Sequence, residues 1–177
     1  MNDMMKPGAF GQEIEPAVLK IERLLPGPIE RVWDYLTKSD LRRQWLASGD
    51  MPGQVGGEFE MTWRNEELTD PPGRRPDGFS EEHTAVCRLL ESDPPHLLSY
   101  TFGKAGEVTF TLTNKGEDVL LTLVHRRMPD RNIMFMVGPG WHAHLDILVA
   151  KMRGLKAEPF WESWVKLKAE YAQRLPG

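Results

Sequence analysis

Hydrophobic positions change period along this chain, and the changes mark its elements. Ala17 to Leu25 alternates imperfectly, with Leu19 and Ile21 on one face, and predicts a strand that Pro26-Gly27-Pro28 stops. Ile29, Val32, Trp33 and Leu36 then recur at helical spacing. Pro28 suits the first turn of that helix, where its missing N–H has no intrahelical partner to lose. Ser39 is placed to cap a second short helix over Asp40 to Leu46, with Leu41 and Trp45 one turn apart. Glu58 to Arg64 alternates cleanly, with Phe59, Met61 and Trp63 on one face and Glu60 on the other. Four further strands are predicted: His83 to Leu90, Leu97 to Phe102, Val108 to Thr113 and Val119 to Arg126.

The alternation in the last three is one-sided: Leu98, Tyr100 and Phe102; Val108, Phe110 and Leu112; Val119, Leu121, Leu123 and His125. Short turns between such strands imply an antiparallel meander with one face buried. An apolar connector, Ile133 to Val137, leads to a helix opening at Gly138-Pro139-Gly140. Trp141, Leu145, Leu148 and Met152 form its stripe, Gly154 weakens it, and Pro159 ends or kinks it. A terminal helix over about 160–174 presents Phe160, Trp164, Leu167 and Tyr171. Residues 1–16 carry Gly and Pro without a sustained period and read as a flexible tail. Asn65 to Ser80, with Pro71-Pro72-Gly73 and Pro76-Asp77-Gly78, reads as a mobile flap or a surface insertion. Residues 17–177 are therefore expected to form one α+β domain, a curved antiparallel sheet wrapped around the long helix, with two short helices after the first strand.

Composition narrows the function classes. At 177 residues, with 40% apolar and 27% charged positions, the chain is long enough to bury a core without metal or disulfide staples. A net charge of −4 and no basic cluster beyond pairs such as Arg42-Arg43 give no footprint for nucleic acid or an anionic membrane. No signal-like start and no apolar run near the roughly 20 residues of a membrane span are visible, so a cytoplasmic location is expected. Cys87 is the single cysteine and is read as a buried, inert thiol.

The chemistry-bearing residues are few. His142 and His144 sit two apart on a helix, about 200° from one another, so they cannot share one ion. His144 falls near the apolar stripe, whereas His142 is expected at the surface. His125 shares a strand face with Leu121 and Leu123 and would approach His144, as a hydrogen-bonded handle rather than a metal ligand. No nucleophile elbow, phosphate loop or dinucleotide fingerprint is present, and no metal or cofactor is expected. The stronger signal is ring volume: Trp33, Trp45, Phe59, Met61, Trp63, Tyr100, Phe102, Phe110 and Trp141 all fall on inward faces. Each alone is ordinary core, but together they suggest walls of a cavity completed by Leu123, His125, His144, Leu145 and Leu148.

Five segments then matter together: PIERVW at Pro28 to Trp33, LRRQWL at Leu41 to Leu46, VGG at Val55 to Gly57, VLLTLVH at Val119 to His125, and GWHAHL at Gly140 to Leu145. In order and spacing they resemble the activator of heat-shock protein 90 ATPase homologue family, within the START-like (SRPBCC, helix-grip) superfamily. The resemblance runs from about Val18 to Leu155. It implies a helix-grip fold and, as in many members, an apolar cavity between sheet and long helix. The expected function is binding of an apolar or aromatic small molecule there, with Tyr100, His125 and His144 orienting its polar end. The alternatives are a polyketide cyclase-like enzyme using His125 or His144 as base, and a chaperone-related interaction domain. Ile133 to Val137 would serve as a pocket lid, a homodimer contact or a docked loop.

Overall fold

The computed structural model of the protein describes residues 8–175. Its strands are β1 (Gln12–Glu15), β2 (Val18–Pro26), β3 (Glu58–Trp63), β4 (His83–Asp93), β5 (Leu97–Thr101), β6 (Glu107–Lys115) and β7 (Asp118–Arg126). Its helices are α1 (Ile29–Thr37), α2 (Ser39–Arg42), α3 (Arg131–Arg153) and α4 (Phe160–Arg174). All strand pairs are antiparallel, in the order β1-β2-β7-β6-β5-β4-β3. The expected α+β architecture is observed, with α3 packed against the sheet.

Alternation aligns the inner face. Leu19 pairs with His125, His125 with Val108, Val108 with Tyr100 and Tyr100 with Leu89, and all five side chains are buried. A parallel row runs Ile21, Leu123, Phe110, Leu98. Trp141, Leu145, Leu148 and Met152 of α3 are buried in the same core, so the helical stripe meets the period-two face. By length and mean hydropathy α3 is apolar enough to cross a membrane, unlike the sequence reading. Its apolar side chains are instead packed against sheet and α4.

The sheet is not uniformly paired. Residues 83–88 of β4 pair with β3, whereas only Leu89 to Asp93 pair with β5. The β3–β4 hairpin therefore runs on past the end of β5, bridged at its root by the Arg88 N–H donating to Thr101 Oγ1 at 2.8 Å.

Several expectations are corrected. The first seven residues of the expected tail lie outside the described residues, but Gln12–Glu15 form edge strand β1 on β2. Arg131 of α3 ties β1 down through Glu13, with Nη1 to Oε2 at 2.9 Å. Ile133 to Val137 is not a connector but the first turns of α3, because Asp130 caps the helix by accepting from the Ile133 N–H. Pro139 lies inside that helix rather than near its start. Its missing N–H leaves one carbonyl unmatched, and burial of the flanking residues outweighs the cost. Gly154, in the left-handed region at φ 69°, closes α3, so Pro159 precedes α4 instead of ending α3. The segment at 65–80 is anchored on α4. Thr69 Oγ1 accepts from the Phe160 N–H and the Pro72 carbonyl from the Trp161 N–H, satisfying donors at the helix start.

The second short helix spans only Ser39–Arg42, and Ser39 does not cap it. Its Oγ accepts from the Gly49 N–H instead. Arg42 is fully buried and donates to the carbonyls of Thr37, Ala47 and Gly49. Gly49 is required there: at φ 134°, a Cβ would lie 1.9 Å from the Glu60 carbonyl oxygen. This guanidinium thus sets the turn carrying Trp45 and Leu46 against β3. Truncating Arg42 strands three carbonyls, each costing about 1–3 kcal/mol. We expect Arg42→Ala to lower the unfolding free energy by at least about 3 kcal/mol in urea titrations, whereas exposed Arg43→Ala stays within about 0.5 kcal/mol. Equal effects of the two would refute this role.

An aromatic cleft as candidate functional site

The middle of α3 is covered on two sides, by the sheet and by α4, and this decides what its polar residues do. Trp141 donates its indole N–H to His125 Nδ1 at 2.9 Å. His125 Nε2, which then carries the ring hydrogen, donates to the Ala105 carbonyl at 2.7 Å. Both nitrogens are engaged, and burial pushes the His125 pKa down. His144 is buried as well, and its Nδ1–H donates to the Trp45 carbonyl at 2.8 Å. Burial lowers its pKa to about 4, against the smaller opposing effect of that hydrogen bond.

His142 is corrected from surface to buried, at 2% exposure. It hydrogen-bonds Tyr171 Oη of α4 at 2.8 Å, and its Nε2 lies 3.3 Å from Asp146 Oδ2. Asp146 accepts from Arg23 Nε at 3.0 Å, and Tyr171 Oη accepts from the Gly11 N–H at 2.7 Å. Burial raises the Asp146 pKa, but His142 and Arg23 outweigh it and hold the carboxyl below its usual range. This chain of groups clamps α3, α4 and the residues before β1. Among the described residues no cluster of His, Cys, Asp and Glu is arranged to hold a metal.

Beneath the later part of the α3 stripe, Tyr100, Phe110, Leu121, Leu123, Leu145 and Leu148 are buried together in the core. A cavity lies at the first half of α3, where the β3–β4 hairpin runs on past the end of β5. It measures about 1070 Å³. Ile133, Met136, Val137, Gly140, Trp141 and His144 line it from α3, and Phe160, Trp161 and Trp164 from α4. Trp63, Cys87 and Phe102 line it from the sheet side, and Phe79 from the anchored segment. The rings contact one another: Phe102 and Trp141 at 5.0 Å, Phe79 and Trp164 at 5.0 Å, His144 and Phe160 at 4.8 Å between centroids. Such a wall suits a flat apolar guest. The Cys87 thiol is buried, and burial raises its pKa, so the wall there is uncharged.

Of the residues expected to line a cavity, Trp63, Phe102, Trp141 and His144 do so. Trp45, Phe59, Met61, Tyr100, Phe110, Leu123, Leu145 and Leu148 are buried in the packed core, and Trp33 packs half-buried against it. His125 stands behind Trp141 rather than on the wall. Glu60 is exposed, as its strand face predicts. Sequence reasoning missed Phe79, Phe160, Trp161 and Trp164. Their signal was the density of rings in Phe160-Trp161-Glu162-Ser163-Trp164, more than a single helix seam needs.

A family model described as activator of Hsp90 ATPase homolog 1-like protein matches residues 26–153. The chain belongs to this family. The family lies within the SRPBCC superfamily, whose helix-grip fold is the one described above and whose members typically bind apolar ligands. The protein encoded by gene BPP1335 of Bordetella parapertussis is 37% identical, with a TM-score of 0.81 over 99% of this chain and 95% of its own. CalU16 from Micromonospora echinospora shares the fold at 21% identity, with a TM-score of 0.64 over 93% of each chain. EF2215 from Enterococcus faecalis does so at 17% identity and a TM-score of 0.67, covering 93% of this chain and 89% of its own. A comparison with curated proteins finds no match.

The buried histidines of this family member have a measurable consequence. The folded pKa of His144 is about 4, below the roughly 6.5 of an unfolded histidine, so the unfolded chain binds protons first as pH falls. The stability is therefore intact above about pH 6.5 and is lost progressively down to about pH 4. For His144 alone the loss is about 3 kcal/mol, and His125 adds in the same direction. Urea midpoints followed from pH 7 to pH 4 should fall, and more shallowly in His144→Phe; parallel profiles would contradict the assignment.

Proposed function

We propose that this protein binds an uncharged aromatic or apolar small molecule in the cleft between α3, α4 and the β3–β4 hairpin. The observation that carries this reading is the cavity of about 1070 Å³ walled by Trp63, Phe102, Trp141, Phe160, Trp161 and Trp164. That volume is at the upper end of ordinary small-molecule sites, and its ring-rich lining fits a guest of several fused rings. The family's tendency to take apolar ligands supports it.

Neither base of the cyclase-like alternative suits the task. His125 donates through one nitrogen and accepts through the other, so it has no lone pair for a substrate proton. His144 keeps an acceptor at Nε2, but burial lowers its pKa to about 4, which makes it a weak base at neutral pH. The interaction-domain alternative would use the outer sheet face or Ile133 to Val137, and only the second bears on the cleft. Ile133, Met136 and Val137 line the cleft and Met134 is buried, which favours a wall over a partner contact.

Gly140 allows a test that does not damage the fold. It lines the cleft, and a Cβ built there meets only Trp164 Nε1, at 4.0 Å. Gly140→Leu should project into the cavity and narrow it while adding up to about 1 kcal/mol of helix stability. With pyrene at about a hundredfold excess over Kd, the wild-type protein should gain about 2.7 kcal/mol and its tryptophan emission should be quenched. Gly140→Leu should melt no lower than wild type without ligand, and pyrene should stabilise and quench it less than wild type. Absence of binding by pyrene and by other arenes in the wild type would sink the proposal.

A further inference from the structure

The polar atoms of the cleft are not equivalent, and their commitments narrow the guest. The Trp141 N–H is consumed by His125, and His125 by Ala105. His144 lines the cleft, and the hydrogen bond it makes among the described residues runs through Nδ1 to the Trp45 carbonyl. A carbonyl only accepts, so Nδ1 carries the hydrogen and, in the neutral ring, Nε2 is an acceptor. Two more atoms of cleft-lining residues, Asn65 Oδ1 and Trp161 Nε1, are buried without a hydrogen-bond partner. Both are shut off from water as well as unpartnered, which leaves His144 Nε2 as the atom of this set to meet a guest. Trp161 stands one ring from His144: Phe160 lies 4.8 Å from the His144 ring and 4.9 Å from the Trp161 ring.

We infer that His144 determines specificity in this cleft, selecting uncharged fused-ring ligands that carry a hydroxyl or N–H group by accepting that group's hydrogen bond at Nε2. The inference rests on the cleft being a ligand site. It goes further by ranking two neighbouring ligand classes below these. A plain arene or its methyl ether offers Nε2 no donor and leaves the lone pair buried and unmatched. A carboxylate at Nε2 places an anionic acceptor against an acceptor, and the cations that line the cleft, Arg88 of β4 and Lys104 of the β5–β6 turn, belong to its sheet side rather than to α3. Protonation would reverse the second of these, but burial keeps His144 neutral down to about pH 4.

Pyrene derivatives separate these cases because they share one ring system. Binding to the wild-type protein would be measured by tryptophan quenching with 1-hydroxypyrene, 1-methoxypyrene and pyrene-1-carboxylate at pH 7. The hydroxyl compound should bind roughly tenfold more tightly than the ether, and the carboxylate most weakly. In His144→Phe the hydroxyl and ether compounds should bind alike. Nitrogen-15 NMR of the imidazole rings gives a readout on the intact protein: one ring acceptor resonance should move with 1-hydroxypyrene and not with 1-methoxypyrene. That measurement decides the matter even where His144→Phe fails to fold. Equal affinity of ether and hydroxyl compound for the wild type overturns the role of His144 while leaving the cleft as a binding site. Failure of every pyrene to bind overturns the binding site and the selectivity together.

Discussion

A helix enclosed on both sides has no water for its polar groups, and the middle of α3 is such a helix. A buried polar group left without a partner costs more than a typical hydrogen bond contributes, so each must be matched from within the protein. His142 is matched by Tyr171 and Asp146, His144 by the Trp45 carbonyl, and Trp141 by His125. Each match ties α3 to a different part of the molecule. Tyr171 brings α4 and, through Gly11, the segment before β1; Trp45 brings the turn after α2; His125 brings β7 and the β5–β6 turn.

These ties explain where the cleft is. Large aromatic and aliphatic side chains of the later part of α3 are buried against the sheet in the core. At the first half of α3 the facing strand pair runs on past the end of β5, which stops at Thr101, so β4 pairs with β5 only from Leu89 onward. Neither the sheet nor the helix closes that gap. The anchored 65–80 segment and the ring-rich start of α4 surround it without filling it. Arg42 contributes at a distance, since the turn it holds presents the carbonyl that fixes the His144 tautomer.

The cleft also shows how one ring chemistry serves two ends. Phe59, Tyr100 and Phe110 are core, packed edge to face or tilted at centroid distances of 5.6 and 6.1 Å. Trp63, Phe102 and Trp141 belong to the same contact network, with Phe102 5.3 Å from Trp63 and 5.0 Å from Trp141, yet they border empty space. The difference lies in what faces each ring, not in residue type. A sequence lists rings; it does not list their neighbours.

What the residues alone determined is therefore the set of elements and the faces they bury. Period-two strands with one wet face and the Trp141, Leu145, Leu148, Met152 stripe were legible, because burial on a single face leaves a periodic trace in the sequence. Where an element is buried on more than one side the trace disappears. That is why Ile133 to Val137 looked like a connector, why Pro139 looked like a boundary, and why His142 looked like surface. The edge strand at Gln12–Glu15 was illegible for the opposite reason, since an exposed strand held by backbone pairing and one Arg–Glu bridge needs no apolar pattern. Tertiary structure alone decided which rings close the core and which leave a cleft, because that depends on where β4 runs on past β5 and on the docking of α4. Both are contacts between segments far apart in the chain, set by packing that no local period records.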